Sequence, residues 1–136
     1  RDFCLSRGLG DVYKRQVEKA YQLFLHATRL DLDDYNNEAD QGLHITSMPG
    51  SWLAIVRGFA GMQVLKETLC FSPVIPQKWD SYSFKVNYLK NTLHIRVGKE
   101  IEISLTAGSK VDIQVYGHPY TLERGTELKI NMPMCQ

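Results

Sequence analysis

The run Gly42-Leu43-His44-Ile45-Thr46-Ser47-Met48-Pro49-Gly50-Ser51-Trp52 sets a histidine, three hydroxyls and two glycines just ahead of an apolar helix. A helix start offers unsatisfied backbone N–H groups and the positive end of a dipole, which suits an anion and phosphate in particular. Binding a dianion calls for strong donors, and a histidine N–H and hydroxyls are such groups. His44, Thr46 and Ser47 supply them within four positions, and they are the phosphate-binding residues this sequence suggests. Each also has a plainer reading. His44 reads alternatively as a hydrogen-bonded loop histidine, and Thr46 and Ser47 as helix caps.

Other polar groups carry less. Arg29 followed by Asp31, Asp33 and Asp34 could bind sugar or metal, or form a salt-bridge set that orders its loop. These alternating acids lack the glycine and distal glutamate of a calcium loop, so no metal ligand is assigned. Trp52 reads as core rather than as a sugar platform, and Arg57 as a surface or packing residue with an anion contact as the alternative. His26, His94 and His118 are isolated. Cys4, Cys70 and Cys135 are odd in number and widely spaced, which fits reduced thiols in a cytoplasmic protein.

The elements that position the histidine run are two helices. Val17, Ala20, Tyr21, Phe24, Leu25 and Thr28 form one apolar stripe and predict a helix from Val17 to about Leu30. Asp31 to Gln41 reads as a polar loop with Asn36-Asn37 as a turn. A second helix begins between Ser47 and Ser51, either serine capping it, with Pro49 in its first turn. Its apolar face is Trp52, Ile55, Val56, Phe59 and Met62, while Gly58 and Gly61 suggest close helix packing. Two such helices cannot bury both faces between themselves. They call for partners.

Beyond Met62 the period falls to two. Met62–Leu65 and Leu69–Phe71 read as a hairpin turning near Lys66-Glu67-Thr68, and Pro73–Trp79 as a proline-stiffened connector. Tyr82–Tyr88, Thr92–Val97, Ile101–Leu105, Val111–Tyr116 and Glu127–Ile130 then alternate apolar and polar residues. Short strands with Gly98, Gly108, Gly117 and Gly125 between them predict a small antiparallel β-sandwich. The chain thus reads as α+β. Residues 1–16 show no periodicity continuous with the helix predicted from Val17, and read as a foreign, adapter-derived segment.

The 136 residues are 43% hydrophobic, enough for one modest core. A net charge of +1 with 23% charged residues gives no basic stripe for nucleic acid. No apolar run is long enough for a membrane span, and no signal peptide is expected at the start.

Together, Thr28–Asn37, Gly42–Trp52 and Ala54–Met62 resemble the C-terminal part of glycoside hydrolase family 65, the maltose, trehalose and kojibiose phosphorylases. The resemblance runs from about Val17 to the C-terminus and is dense between Arg29 and Met62. It implies that residues 17–62 are the last helices of an (α/α)6 catalytic barrel and residues 63–136 a C-terminal β-sandwich. Pro73–Trp79 is similar to the family's proline-leucine-proline bridge, with Ile75 in place of the leucine. The resemblance also implies an inverting phosphorylase acting on a disaccharide, with inorganic phosphate as co-substrate, no other cofactor, and a homodimer at full length. His44 and the hydroxyls after it would sit beside the phosphate. The family's general acid lies upstream of the histidine motif, so this chain is expected to be a fragment that lacks it. Asp40-Gln41 before Gly42, and Pro49, depart from the family pattern without removing a donor. A trehalase-like hydrolase of the same family and a carbohydrate-binding sandwich remain as alternatives. The latter would need Tyr82, Tyr88, Tyr116 and Tyr120 in an exposed row, whereas their alternation suits cross-strand packing.

Overall fold

The computed structural model describes residues 3–34, 37, 42 and 44–133, with side chains from residue 15 onward. The chain divides into two compact units, residues 1–55 with 135–136, and residues 56–134.

The first unit is helical. Helix α1 runs Phe3–Thr28, so residues 3–16 continue the predicted helix toward the N-terminus instead of lacking regular structure. Nothing there breaks it: the segment has no proline, and its two glycines each cost only about 1 kcal/mol. The Thr28 hydroxyl closes the helix by donating to the carbonyls of Phe24 and Leu25. Helical geometry then resumes where a loop was expected. A single turn, α2, spans Leu30–Asp33 and stops at Asp34, whose φ of 46° is left-handed. The Asn36 half of the expected turn and Cys135 lie outside the described residues.

Helix α3 covers only Ser47–Leu53, and the chain then widens into a π-helical turn at Ala54–Phe59, where one long α-helix was expected. The apolar stripe of α1 (Val17, Tyr21, Phe24, Leu25) is half-buried, and no described residue before Val56 is fully buried. This unit has no core of its own among the described residues.

The second unit is a sandwich built from eight strands: β1 Gln63–Leu65, β2 Thr68–Phe71, β3 Tyr82–Tyr88, β4 Asn91–Val97, β5 Glu100–Ala107, β6 Lys110–Val115, β7 His118–Glu123 and β8 Glu127–Asn131. One sheet has the order β1-β2-β6-β7 and the other β3-β4-β5-β8. All pairs are antiparallel except β2–β6, which is parallel, with Leu69 opposite Ile113 and Phe71 opposite Val115. That pair corrects the fully antiparallel expectation. The chain leaves β2, builds three strands of the other sheet and returns beside β2 in the same direction, a crossover that alternation alone does not reveal.

Strand β7 escaped the sequence reading because Pro119 interrupts it. Proline lacks the N–H for a ladder bond and is tolerated only at an edge, which is where β7 lies. Three tight hairpins have positive φ at both central residues, at Lys66-Glu67, Leu89-Lys90 and Tyr116-Gly117, as the right-handed strand twist requires.

Inward residues of both sheets form one core: Leu69, Phe71, Ile113, Val115 and Leu122 from one, Leu93, Ile95, Val97, Ile101 and Ile103 from the other. Each is at most 2% exposed, and burying such a side chain is worth about 1.5–3 kcal/mol. The proline connector belongs to this core, since Pro73 and Pro76 are buried. Trp79 packs between Phe59 and Tyr82, with ring centroids 5.0 and 5.6 Å away. On the outer face of the second sheet, Lys129 lies 3.4 Å from Glu127 and 3.6 Å from Glu102. Hydrogen bonding to Glu127 and the nearby negative charge hold its pKa above the ordinary lysine value.

Of the glycines expected at close helix packing, only Gly61 is crowded. A Cβ there would lie 2.8 Å from the Ser72 carbonyl oxygen, whereas Gly58 has open space around it.

Candidate functional site

The geometry around His44 begins with helical spacing in α2. Arg29 and Asp33 are four apart and meet on one face in a bidentate ion pair, Nε–Oδ2 2.6 Å and Nη2–Oδ1 2.7 Å. Two residues along a helix reverse direction, so Asp31 points away from that pair. It reaches His44 instead. Its carboxylate accepts the His44 main-chain N–H at 3.0 and 3.2 Å and stands 2.5 Å from the ring Nδ1. Both side chains are partly screened, with Asp31 18% and His44 34% exposed.

The acidic run therefore splits. Arg29–Asp33 is the loop-ordering pair that the sequence suggested, but Asp31 serves the histidine, a role that sequence reasoning missed. The signal was there in the odd spacing: Asp31 sits between two residues that satisfy each other. No group of three or more His, Cys, Asp or Glu among the described residues is placed to hold a metal.

After His44 the chain folds into a tight turn. The Ser47 N–H donates to the His44 carbonyl at 2.9 Å, and the Ser47 hydroxyl donates to the same oxygen at 2.7 Å. Met48 N–H donates to Ile45 and Gly50 N–H to Thr46, both at 3.3 Å. Pro49 has no N–H to satisfy. The backbone amides expected to stand open for an anion are thus engaged, which corrects the helix-start argument. The helix is also only seven residues long.

The capping expectation changes too. Thr46 occupies the N-cap position in helical geometry with no side-chain cap bond, and it is exposed. Neither serine caps: Ser47 bonds back to His44, and the Ser51 hydroxyl donates to the Ser47 carbonyl at 2.7 Å. Both hydroxyls favour nearby carbonyls because a preceding turn, not an open chain end, leads into the helix. The turn brings His44, Thr46 and Ser47 together, with the Thr46 side chain exposed at its surface.

Trp52 is not core. It is 48% exposed, next to Leu53 at 45%. Arg57 is exposed. His94 pairs in register with Lys85 and Ser104 on the polar sheet face, and His118 lies at the exposed start of β7. Cys70 is a buried free thiol.

The tyrosines are cross-braces rather than a sugar platform. Tyr82 donates to the Val74 carbonyl at 2.9 Å, Tyr88 to Glu67 at 2.7 Å, and Tyr116 to Pro73. All four candidates, Tyr120 included, pack partly buried against the sandwich core.

Comparison with known proteins adds an independent line. Residues 62–122 match the model of the glycosyl hydrolase family 65 C-terminal domain, and residues 7–53 that of the family's central catalytic domain. The chain is 47% identical over 107 residues to a maltose phosphorylase of Bacillus subtilis, covering 78% of this chain and 14% of the relative. It is 38% identical over 128 residues to an α,α-trehalose phosphorylase of Thermoanaerobacter brockii, covering 91% of this chain and 16% of the relative. Among solved structures it is similar to a kojibiose phosphorylase candidate from the human microbiome, with a TM-score of 0.75 and 36% identity over 81% of this chain and 14% of that one. The chain therefore spans only about one sixth of these relatives' length or less.

Proposed function

The chain belongs to glycosyl hydrolase family 65, and on that premise we propose that it is the C-terminal portion of an inverting disaccharide phosphorylase. Its substrate is an α-glucoside such as maltose, cleaved by inorganic phosphate to β-glucose 1-phosphate and a free sugar. In this reaction a phosphate oxygen attacks the anomeric carbon from the face opposite the glycosidic bond, which breaks as an acid protonates the leaving oxygen. Phosphate is already nucleophilic, so the protein need only hold and aim it. We assign that task to His44, Thr46 and Ser47. The observation that carries it is the fixed orientation of His44, held by Asp31 at the head of a turn with an exposed threonine hydroxyl. Ser47 joins by exchanging its bond to the His44 carbonyl for one to phosphate.

The general acid comes from outside this chain. Residues 17–62 form the end of an (α/α)6 barrel, and residues 63–136 are the C-terminal sandwich that buttresses it. The absence of a core among the described residues of the helical unit supports this, as does the apolar surface it exposes at Leu32, Ile45, Met48, Trp52 and Leu53. Alone, the 136 residues are inactive. The complete enzyme is a cytoplasmic homodimer with disaccharide and phosphate as its partners and no nucleic-acid or membrane association.

The test uses residues 17–136 grafted in place of the matched segment of the Bacillus subtilis maltose phosphorylase. Maltose, trehalose and kojibiose are each offered with and without phosphate, and glucose 1-phosphate is measured. Cleavage that requires phosphate supports the reading. Cleavage indifferent to phosphate makes the enzyme a hydrolase and returns His44 to a structural role.

A further inference from the structure

We propose that Asp31 is a positioning residue for phosphate binding, acting through His44; this rests on the assignment of His44 to the phosphate. Asp31 holds the histidine at two points. The same carboxylate takes the main-chain N–H at 3.0 and 3.2 Å and the ring Nδ1 at 2.5 Å, across thirteen residues of chain. A contact to the ring alone would let the backbone swing, and one to the backbone alone would let the ring rotate. Both together fix the rotamer.

The carboxylate is itself held. It stands on a helical turn whose opposite face is locked by the bidentate Arg29–Asp33 pair, and the amides of Leu32 and Asp33 both bond to the Arg29 carbonyl. His44 is fastened from the other side as well, because its carbonyl accepts the amide of Ser47 at 2.9 Å. With Nδ1 held by Asp31, the opposite ring nitrogen, Nε2, is the one assigned to phosphate. A carboxylate behind an imidazole selects the tautomer and aims the ring in this way. Asp31 touches no substrate. Removing it frees the ring to turn or to move its proton, which weakens phosphate capture and leaves the sugar alone.

A double-mutant cycle in the graft tests this, with inorganic phosphate as the varied substrate. A lost charge-assisted hydrogen bond corresponds to roughly 10- to 100-fold in affinity, so His44→Ala raises the KM for phosphate by about that factor. Asp31→Asn raises it about tenfold, with the KM for maltose within about twofold of the parent. It also displaces the pH profile of kcat/KM for phosphate. In the His44→Ala background Asp31→Asn adds no more than about twofold, since its main route to phosphate is the ring and only the main-chain bond is left to lose.

An equal loss from Asp31→Asn in both backgrounds overturns the proposal while the phosphate assignment stands. If His44→Ala leaves the phosphate KM unchanged, the phosphate assignment itself falls. Should Asp31→Asn not fold, 15N-histidine NMR of the unmutated chain decides: a His44 ring protonated on Nδ1 is expected, and one protonated only on Nε2 overturns the proposal.

Discussion

Gly58 and Gly61 look alike in the sequence, three residues apart in one apolar segment, yet alanine at the two positions should have opposite effects. Gly58 lies in the π-helical turn, exposed, with no neighbouring atom within 4 Å of an added Cβ. Alanine there removes backbone freedom from the unfolded chain and should stabilise by about 0.5–1 kcal/mol. Gly61 has a φ of 57°, which costs an alanine about 1–2 kcal/mol. Its Cβ would also stand 2.8 Å from the Ser72 carbonyl oxygen and 3.1 Å from the Ser72 carbonyl carbon. That segment cannot easily retreat, because Ser72 N–H is bonded to Ala60 and Val74 N–H to Phe59, at 3.2 and 2.7 Å. Crowding of this kind costs about 1–3 kcal/mol, so Gly61→Ala should destabilise by about 2–5 kcal/mol in total. Urea denaturation followed by Trp79 fluorescence reads both. With a typical slope, the Gly61→Ala midpoint falls by roughly 1–2 M while that of Gly58→Ala rises slightly. Shifts in the same direction, or a neutral Gly61→Ala, would refute the reasoning.

The sandwich and the helical unit give further tests. Leu89 and Lys90 hold positive φ at 45° and 62° in the β3–β4 turn, so Asn and Gly at these positions should stabilise the chain by about 1 kcal/mol in the same denaturation assay. Leu93 is fully buried at the centre of the core, and Leu93→Ala should cost about 3–4 kcal/mol by calorimetry or urea titration. The exposed Met48, Trp52 and Leu53 should make the isolated chain self-associate in sedimentation velocity, with Trp52→Glu and Leu53→Glu together reducing it; a monodisperse monomer that melts cooperatively would contradict this.

The sandwich was largely legible because its strands alternate, and period-two alternation reports directly which face is wet. Tyr82–Tyr88 matches its predicted bounds, and the six other predicted strands differ by one or two residues at one or both ends. The parallel β2–β6 pair and Pro119-bearing β7 were not legible, since pairing partners depend on the path of the chain rather than on local pattern. At the site, residue types pointed to His44, Thr46 and Ser47, but hydrogen-bond direction was hidden. A serine can cap a helix or bond backward with equal ease, and only the turn at His44–Ser47 decides for the latter. Asp31 was hidden for a related reason: its partner lies thirteen residues away, beyond any helical or strand period. Trp52 misled because an apolar stripe predicts burial only when something is present to cover it.

The central claim is that the His44 turn holds the attacking phosphate. The most direct measurement is the initial rate of maltose phosphorolysis as a function of phosphate concentration, in the grafted enzyme and its His44→Ala variant. The account predicts a KM for phosphate raised by at least about tenfold with the KM for maltose nearly unchanged, in keeping with loss of one charge-assisted donor. An unchanged phosphate KM, or an equal rise in both constants, would contradict it.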